Sequence, residues 1–304
     1  MKAYKKALFI YNPLSGNRDI ATELDKIVGH FIKNKIILTV IRLEEEVYDM
    51  LSDLLKNLDY DFIIGVGGDG TIDSIARRIV KNNVKKPYAV IGSGTCNNFA
   101  SNILMPSGVY KAIEEIAKYK TAMVDIGCLQ TGQIFLSSLA IGVFAETSFE
   151  TNSDLKEWLG PFAYHLQGLT QLPNIKTNKF TIKSDEKILE IQAYMVLVLN
   201  GTNVGNIGGL FGNNVDIKDG LFEMIIVKEA NPVDLANLLV KVVKGEDFTN
   251  SNIIEIIKSS KFEIDCEDRS LAVSIDGEKG PSLPLKLSVK PNYINVIVGN
   301  TYDE

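Results

Sequence analysis

The residues of this chain best suited to chemistry lie in YDFIIGVGGDGTIDSIARRIVK, positions 60–81, where one carboxylate, Asp69, stands inside a turn of glycines. Gly67, Gly68 and Gly70 let the backbone approach an anion without Cβ interference, and a helix expected from about Thr71 offers unpaired N–H groups and the positive end of its dipole. Such a turn is built to hold phosphate. A carboxylate there repels phosphate unless a divalent cation or a donor network screens it, so Asp69 predicts Mg²⁺, a nucleotide polyphosphate and phosphoryl transfer. Phe62, Ile63, Ile64 and Val66 form an apolar run that suits a strand buried on both faces. Ile72, Ile75, Ala76 and Ile79 follow at the spacing of an amphipathic helix. Gly65-x-Gly67-x-x-Gly70 is also the spacing of a dinucleotide fingerprint. A dinucleotide fold, however, places a ribose-binding acid about 20 residues further on, where this chain has Gly92-Ser93-Gly94. No Walker A lysine pattern occurs, and a purely structural glycine turn is the remaining alternative.

Two more loops have comparable chemistry. Asn12-Pro13-Leu14-Ser15-Gly16-Asn17 follows an expected strand at 6–11, and Gly92 to Ala100 follows one at 88–91. With helices expected over 20–33, 47–58 and 109–118 and a strand over 36–42, the first part of the chain alternates βαβα, which implies a parallel sheet. Loops after strand carboxyl ends gather on one edge of such a sheet, where ligands bind. A strand beginning at Ala122 leads through Asp125 to Gly127, and Asp125 is counted with the nucleotide loops. Beyond it, strand-like segments dominate at 133–139, 178–184, 191–199, 221–227, 261–266, 271–275 and 285–290, interrupted by one expected helix over 153–172. The predicted fold is a Rossmann-like parallel α/β domain (1–127) followed by a β-sandwich-type domain (128–291), with 292–304 returning to the first domain.

Composition narrows the class. At 304 residues, 45% hydrophobic and 23% charged, the chain is globular and long enough for two domains. Cys96, Cys128 and Cys266 are odd in number and widely spaced, which suggests neither a disulfide framework nor a cysteine zinc site; a reducing cytoplasm is expected. The basic start has too short an apolar run for a signal peptide, and nothing approaches a membrane span, so membrane contact would be peripheral, at the inner face. Residues 1–126 carry 17 basic against 15 acidic side chains and the remainder 15 against 23, and this acidic second half argues against a nucleic-acid partner. Arg77, Arg78, Lys81, Lys85 and Lys86 suit either a solvated helix face or anionic headgroups. His30 and His165, the two histidines, have no ligand-spaced companions.

Gly67-Gly68-Asp69-Gly70-Thr71 resembles the GGDGT signature shared by diacylglycerol kinases, sphingosine kinases, NAD kinases and phosphofructokinases. Asn12-Pro13-x-Ser15-Gly16 is similar to the NPxSG element of the diacylglycerol and sphingosine kinases, and Gly94-Thr95-x-Asn97 to their GTxNDFA element, which favours the lipid-kinase branch. The likeness continues through Gly142-x-x-Ala145, Gly160-x-x-x-Tyr164, Asn200-Gly201 and Gly208-Gly209. Asn98 departs from the pattern by standing where it has Asp, and residues 42–47 lack its glycine-aspartate pair.

The resemblance implies ATP and Mg²⁺ as cofactors and a lipid hydroxyl, most simply that of diacylglycerol, as acceptor. It also implies, by analogy alone, a homodimer. NAD kinase is the alternative enzyme, and a catalytically impaired nucleotide- or lipid-binding regulator the alternative class. Asn12, Pro13, Ser15, Gly16, Gly67, Gly68, Gly70, Thr71, Gly94, Thr95, Asn97 and Asn98 are then the nucleotide residues. Asp276 in Ser274-Ile275-Asp276-Gly277-Glu278 resembles the aspartate of the family's DGE element, the general base, with Glu278 in support. On spacing alone Asp276-Gly277 also reads as a hairpin turn. Asp216 and Asp219, three residues apart, would share a structural Mg²⁺ with the carbonyl of Leu221, the alternative being an ordinary Asp-Gly turn.

Overall fold

The computed structural model describes residues 4–15, 19–142, 145, 176–201, 216–244 and 246–299. Gly16, the helix expected over 153–172 with His165, and the motif positions Gly160, Tyr164, Gly208 and Gly209 lie outside these residues. The chain divides into two units, Met1–Val124 with Asn292–Glu304 and Asp125–Pro291.

Unit 1 is a parallel sheet with helices. Its strands are β1 (Lys5–Tyr11), β2 (Ile36–Arg42), β3 (Phe62–Gly67) and β4 (Tyr88–Gly92), in the order β4-β3-β1-β2. Every β3 residue is buried, as expected of a central parallel strand with covered faces. Helices α1 (Asp19–Thr22), α2 (Leu24–Lys33), α3 (Glu45–Asn57), α4 (Asp69–Lys81), α5 (Asn98–Asn102) and α6 (Val109–Lys118) fill the crossovers. α4 buries Ile72, Ile75, Ala76 and Ile79, the stripe its periodicity predicts. The chain runs from β1 outward to β2 and then back across to β3, so the sheet reverses direction between β1 and β3. In open parallel sheets such a switch point opens a crevice beyond the strand carboxyl ends.

Two expectations for this unit change. α4 starts at Asp69 rather than Thr71: extended Gly68 caps it, its carbonyl accepting from the amides of Thr71 (3.0 Å) and Ile72 (3.1 Å). Asp69 therefore sits in the first helical turn, where a negative charge complements the dipole. The basic cluster is also largely engaged within the unit. Arg78 donates to the carbonyls of Tyr48 and Ser74, Lys86 to that of Tyr60, and Lys85 lies 5.8 Å above the Tyr293 ring.

Unit 2 is antiparallel. Its strands are β5 (Thr121–Leu129), which enters from unit 1, β6 (Ile134–Phe135), β7 (Ser138–Gly142), β8 (Asn178–Lys183), β9 (Ile188–Leu199), β10 (Phe222–Lys228), β11 (Ile254–Ser259), β12 (Lys261–Cys266), β13 (Val273–Ile275), β14 (Glu278–Lys279) and β15 (Leu285–Ile297). β9 is shared: its first half pairs with β8, and its second with both β7 and β10. A strand that serves two sheets in this way turns the corner of a sandwich. The core it encloses includes Phe135, Phe180, Phe222 and Phe262, with the rings of Phe135 and Phe222 stacked at 5.3 Å. No described helix is long and apolar enough to cross a membrane.

The strand expected over 133–139 breaks into β6 and β7 because the amides of Leu136 and Ser137 turn away to a side chain described below. The segments at 285–290 and 292–299 form one strand, β15, which pairs with β12 in unit 2 and, past Pro291 and Asn292 (φ 48°), with β4 in unit 1. β11 and a helix, α7 (Pro232–Lys244), were not anticipated. Their apolar runs share one β-branched texture, yet the start of α7 carries a readable signal. Asn231 accepts from the Asp234 amide (3.0 Å) and donates to its carboxylate (2.8 Å), a capping box with proline at the first helical position.

Gly127 on β5 lies opposite Phe135, and a Cβ built there would fall within the Phe135 ring. Gly127→Ala should therefore destabilise the protein by about 1–3 kcal/mol through overpacking, read as a lower urea midpoint at unchanged slope.

Candidate active site

In unit 1 the loops after β1, β3 and β4 are knitted together by backbone and amide groups. Asn12 accepts from the Leu14 amide (2.9 Å) and donates through Nδ2 to Thr71 Oγ1 (3.1 Å), pinning the first loop to the head of α4. Thr71 is itself buried, and its side chain fills the space a Cβ on Gly67 would take, 2.5 Å from the Thr71 Cβ. Asn97 is left-handed (φ 54°, ψ 44°) and bonds back onto its own loop, its side chain accepting from the Gly94 amide (2.9 Å) and donating to the Gly94 carbonyl (2.8 Å). A Cβ on Gly94 would lie 2.7 Å from the Gly68 Cα, so the second and third loops touch backbone to backbone. Only glycine allows that approach.

Asp69 stands where they meet. Its Oδ2 accepts from the Asn97 amide (2.9 Å), and the amides of Asn98 and Phe99 also face the carboxylate. Burial raises its pKa above the ordinary 3.8, and these amides oppose the rise. Its Oδ1 is buried without a protein donor. Asp69 is thus half-buried, with one oxygen held by the protein and the other shielded from water. An orphaned buried anion of this kind fits a cation or a ligand donor. The backbone amide of Asn98 supports Asp69, and its neutral side chain adds no second negative charge to the knot. Gly65 has a different task, since its missing Cβ makes room for the buried Tyr88 phenol, which donates to the Ile72 carbonyl (3.0 Å). The first glycine of the fingerprint spacing is therefore a packing residue. Asn12, Pro13, Ser15, Gly67, Gly68, Gly70, Thr71, Gly94, Thr95, Asn97 and Asn98 all lie on these three loops.

Unit 2 holds the other predicted residues. Asp276 (φ 51°) and Gly277 (φ 84°) form the two-residue turn between β13 and β14, as a primed hairpin turn requires. The hairpin turn is present, and it carries the carboxylate expected to be the general base. Asp276 Oδ1 accepts from the amides of Ser137 (2.9 Å) and Ser138 (3.0 Å) and Oδ2 from that of Leu136 (2.9 Å), so its orientation is fixed by three backbone donors. Glu278 is exposed on β14. Those donors leave no trace in residue order, because they belong to the main chain.

Asp216 and Asp219, both exposed, each receive a backbone amide two residues on, from Lys218 (3.0 Å) and Leu221 (2.9 Å). Among the described residues no three His, Cys, Asp or Glu side chains form a metal-holding group. A cation here would draw on two carboxylates, a carbonyl and water, a set that fits a hard ion. Asp125, expected with the nucleotide residues, begins unit 2. It is fully buried in unit 2, its Oδ2 accepts from the Gly220 amide (2.7 Å) and its amide donates to the Ile217 carbonyl (2.8 Å). It shapes the 216–221 turn.

Glycine loops gathered around a carboxylate at the carboxyl ends of a parallel sheet, followed by a unit of mostly antiparallel strands, are the arrangement of an enzyme that handles phosphate. Comparison with known proteins gives its lineage. The diacylglycerol kinase catalytic domain profile matches residues 6–129, and that of the YegS C-terminal NAD kinase beta sandwich-like domain matches residues 137–298. A diacylglycerol kinase of Staphylococcus saprophyticus is 28% identical over 97% of this chain and 96% of its own length, and one of Staphylococcus haemolyticus 29% identical over 96% and 88%. A crystal structure from Bacillus anthracis, assigned as a diacylglycerol kinase, superposes with a TM-score of 0.81 at 26% identity, covering 99% of this chain and 98% of that one. The chain belongs to the diacylglycerol kinase family.

Burial of Asp69 has a cost that pH can expose. A carboxyl whose pKa is raised on folding is least unfavourable below its unfolded value, and stability is lost as pH rises through the folded value. Asp69→Asn should therefore raise thermal stability at pH 7, by about 1 kcal/mol for an unsatisfied buried group. The gain should shrink as pH falls toward the ordinary 3.8. Melting curves across that range check both the sign and the window.

Proposed function

We propose that this kinase transfers the γ-phosphoryl group of ATP to the hydroxyl of diacylglycerol, giving phosphatidic acid. The observation that carries the reading is the knot at Asp69, where two glycine loops touch and one carboxylate oxygen is buried without a protein donor. Polyphosphate would lie along the glycine backbones of Gly67, Gly68, Gly70 and Gly94, with Asn12, Ser15, Thr71, Thr95 and Asn97 offering polar groups. Mg²⁺, held at Asp69 through the phosphates and structurally at Asp216, Asp219 and the Leu221 carbonyl, would supply charge neutralisation. Asp276 takes the proton from the acceptor hydroxyl, its carboxylate aimed by the Leu136, Ser137 and Ser138 amides. Glu278 sits two residues on in the same hairpin, where its negative charge raises the proton affinity of that base. A lipid acceptor brings the protein to a bilayer surface as a peripheral visitor from the cytoplasmic side.

The deciding assay incubates the full chain with labelled ATP, Mg²⁺ and, separately, diacylglycerol, monoacylglycerol, sphingosine, phosphatidylglycerol and NAD. NAD is included because the matched sandwich profile is described as NAD kinase-like. Label in phosphatidic acid is the expected result. Label in NAD alone, or in no acceptor, overturns the reading in favour of a NAD kinase or a non-catalytic regulator respectively.

Asp276→Ala should lower turnover about 10²- to 10⁴-fold, the range for a lost general base, while ATP continues to raise the melting temperature as it does in the wild type. Normal turnover in that variant would remove Asp276 from the mechanism.

A further inference from the structure

Leu136 and Ser137 lie between β6 and β7, buried and outside any strand, so their backbone groups must find partners elsewhere. Their amides go to the Asp276 carboxylate. Their carbonyls go to a single residue, Asn200, at the end of β9. The Asn200 backbone amide donates to the Ser137 carbonyl (2.9 Å), and its Nδ2 donates to the Leu136 carbonyl (2.9 Å). The second Nδ2 hydrogen goes to the Asp125 carbonyl (3.0 Å), and the Asp125 side chain in turn holds Gly220 of the 216–221 turn. Asn200 is 1% exposed. Both side-chain partners are carbonyl oxygens, which can only accept, so the orientation of the amide is forced.

We infer that Asn200 is a positioning residue: it clamps the 136–138 peptides from behind and so aims the Asp276 carboxylate, and it ties that cradle to the turn carrying Asp216 and Asp219. The inference rests on the proposed role of Asp276. The three amides can orient a carboxylate only if their peptide planes are themselves fixed, and in two of those three planes the carbonyl, that of Leu136 or Ser137, accepts from Asn200. All the groups belong to unit 2, and the connection runs through two intervening residues, Asn200 and Asp125. Side-chain volume plays no part in it. Asn200→Asp keeps the shape but replaces both donors by an acceptor facing two acceptors, whereas Asn200→Ala removes the donors and leaves a gap.

Turnover and amide exchange test this. With ATP and dioleoylglycerol in mixed micelles, both Asn200→Ala and Asn200→Asp should lower kcat about 10²-fold, the scale of a reacting group displaced by about an ångström, with KM for ATP unchanged. In both, exchange at the Leu136, Ser137 and Ser138 amides should quicken while Leu139, paired with β9 and β13, keeps its protection. Wild-type kcat and wild-type exchange in Asn200→Asp would overturn the clamp and leave only packing. A measurement without any variant guards against variants that fail to fold: in the wild-type protein the Asn200 Nδ2 protons and the three amides should exchange in one cooperative opening. Separate openings overturn the proposal. If the wild type phosphorylates no lipid, the functional reading fails by that result, and the exchange data still decide whether the clamp exists.

Discussion

The carboxylate of Asp69, half-buried among its loops with one oxygen shielded from water, is the constraint on which the glycine loops of unit 1 depend. A buried charge without a paired cation needs donors, and here they are main-chain amides at the start of α5. Bringing those amides to Asp69 requires the β4 loop to touch the β3 loop. That contact requires Gly94 to lack a side chain, and Asn97 adopts a left-handed backbone beside it. Asn12 then locks the β1 loop onto Thr71. The glycine at position 94 thus serves to bring loop to loop.

Unit 2 handles its own carboxylate by the same means. Asp276, like Asp69, is held by backbone N–H groups. Backbone donors fix direction without cancelling net charge, so the carboxylate keeps its capacity to attract a proton or a cation. The lysines and arginines of the chain are used elsewhere, on exposed pairs such as Lys179 with Glu190 and on anchoring helix α4. Asp185 shows the contrast: Ser259, Ser260 and Lys261 converge on it, driving its pKa far below the usual range and making it a staple.

Much of this was legible from residue order. The alternation of apolar strand, glycine turn and amphipathic helix marked β3 and α4, because a central parallel strand and a two-faced helix each leave a periodic trace. The three loops were identifiable from their glycines and asparagines. Three things were hidden for physical reasons. The burial of Asp69 depends on a loop 28 residues away. The cradle of Asp276 is built from amides, which every residue carries alike. Asp125 looked like a strand-end ligand, but its neighbour in space, Gly220, is 95 residues distant. The break between β6 and β7 has the same origin, since nothing in the Phe135-Leu136-Ser137-Ser138 sequence announces that its donors are wanted elsewhere.

Strand β15 gives this architecture a timetable. Its final residues lie beside β4, with Val296 opposite Tyr88, yet they follow Asp125–Pro291 in the chain. A ribosome therefore releases the parallel sheet of unit 1 with β4 lacking that neighbour, and no later event can supply it until all of unit 2 has been made. The nascent sheet waits with an open border, the situation in which strands recruit wrong partners. Completion of the first unit is thus conditional on translation of the second, and a chain interrupted anywhere within the sandwich leaves both halves unfinished.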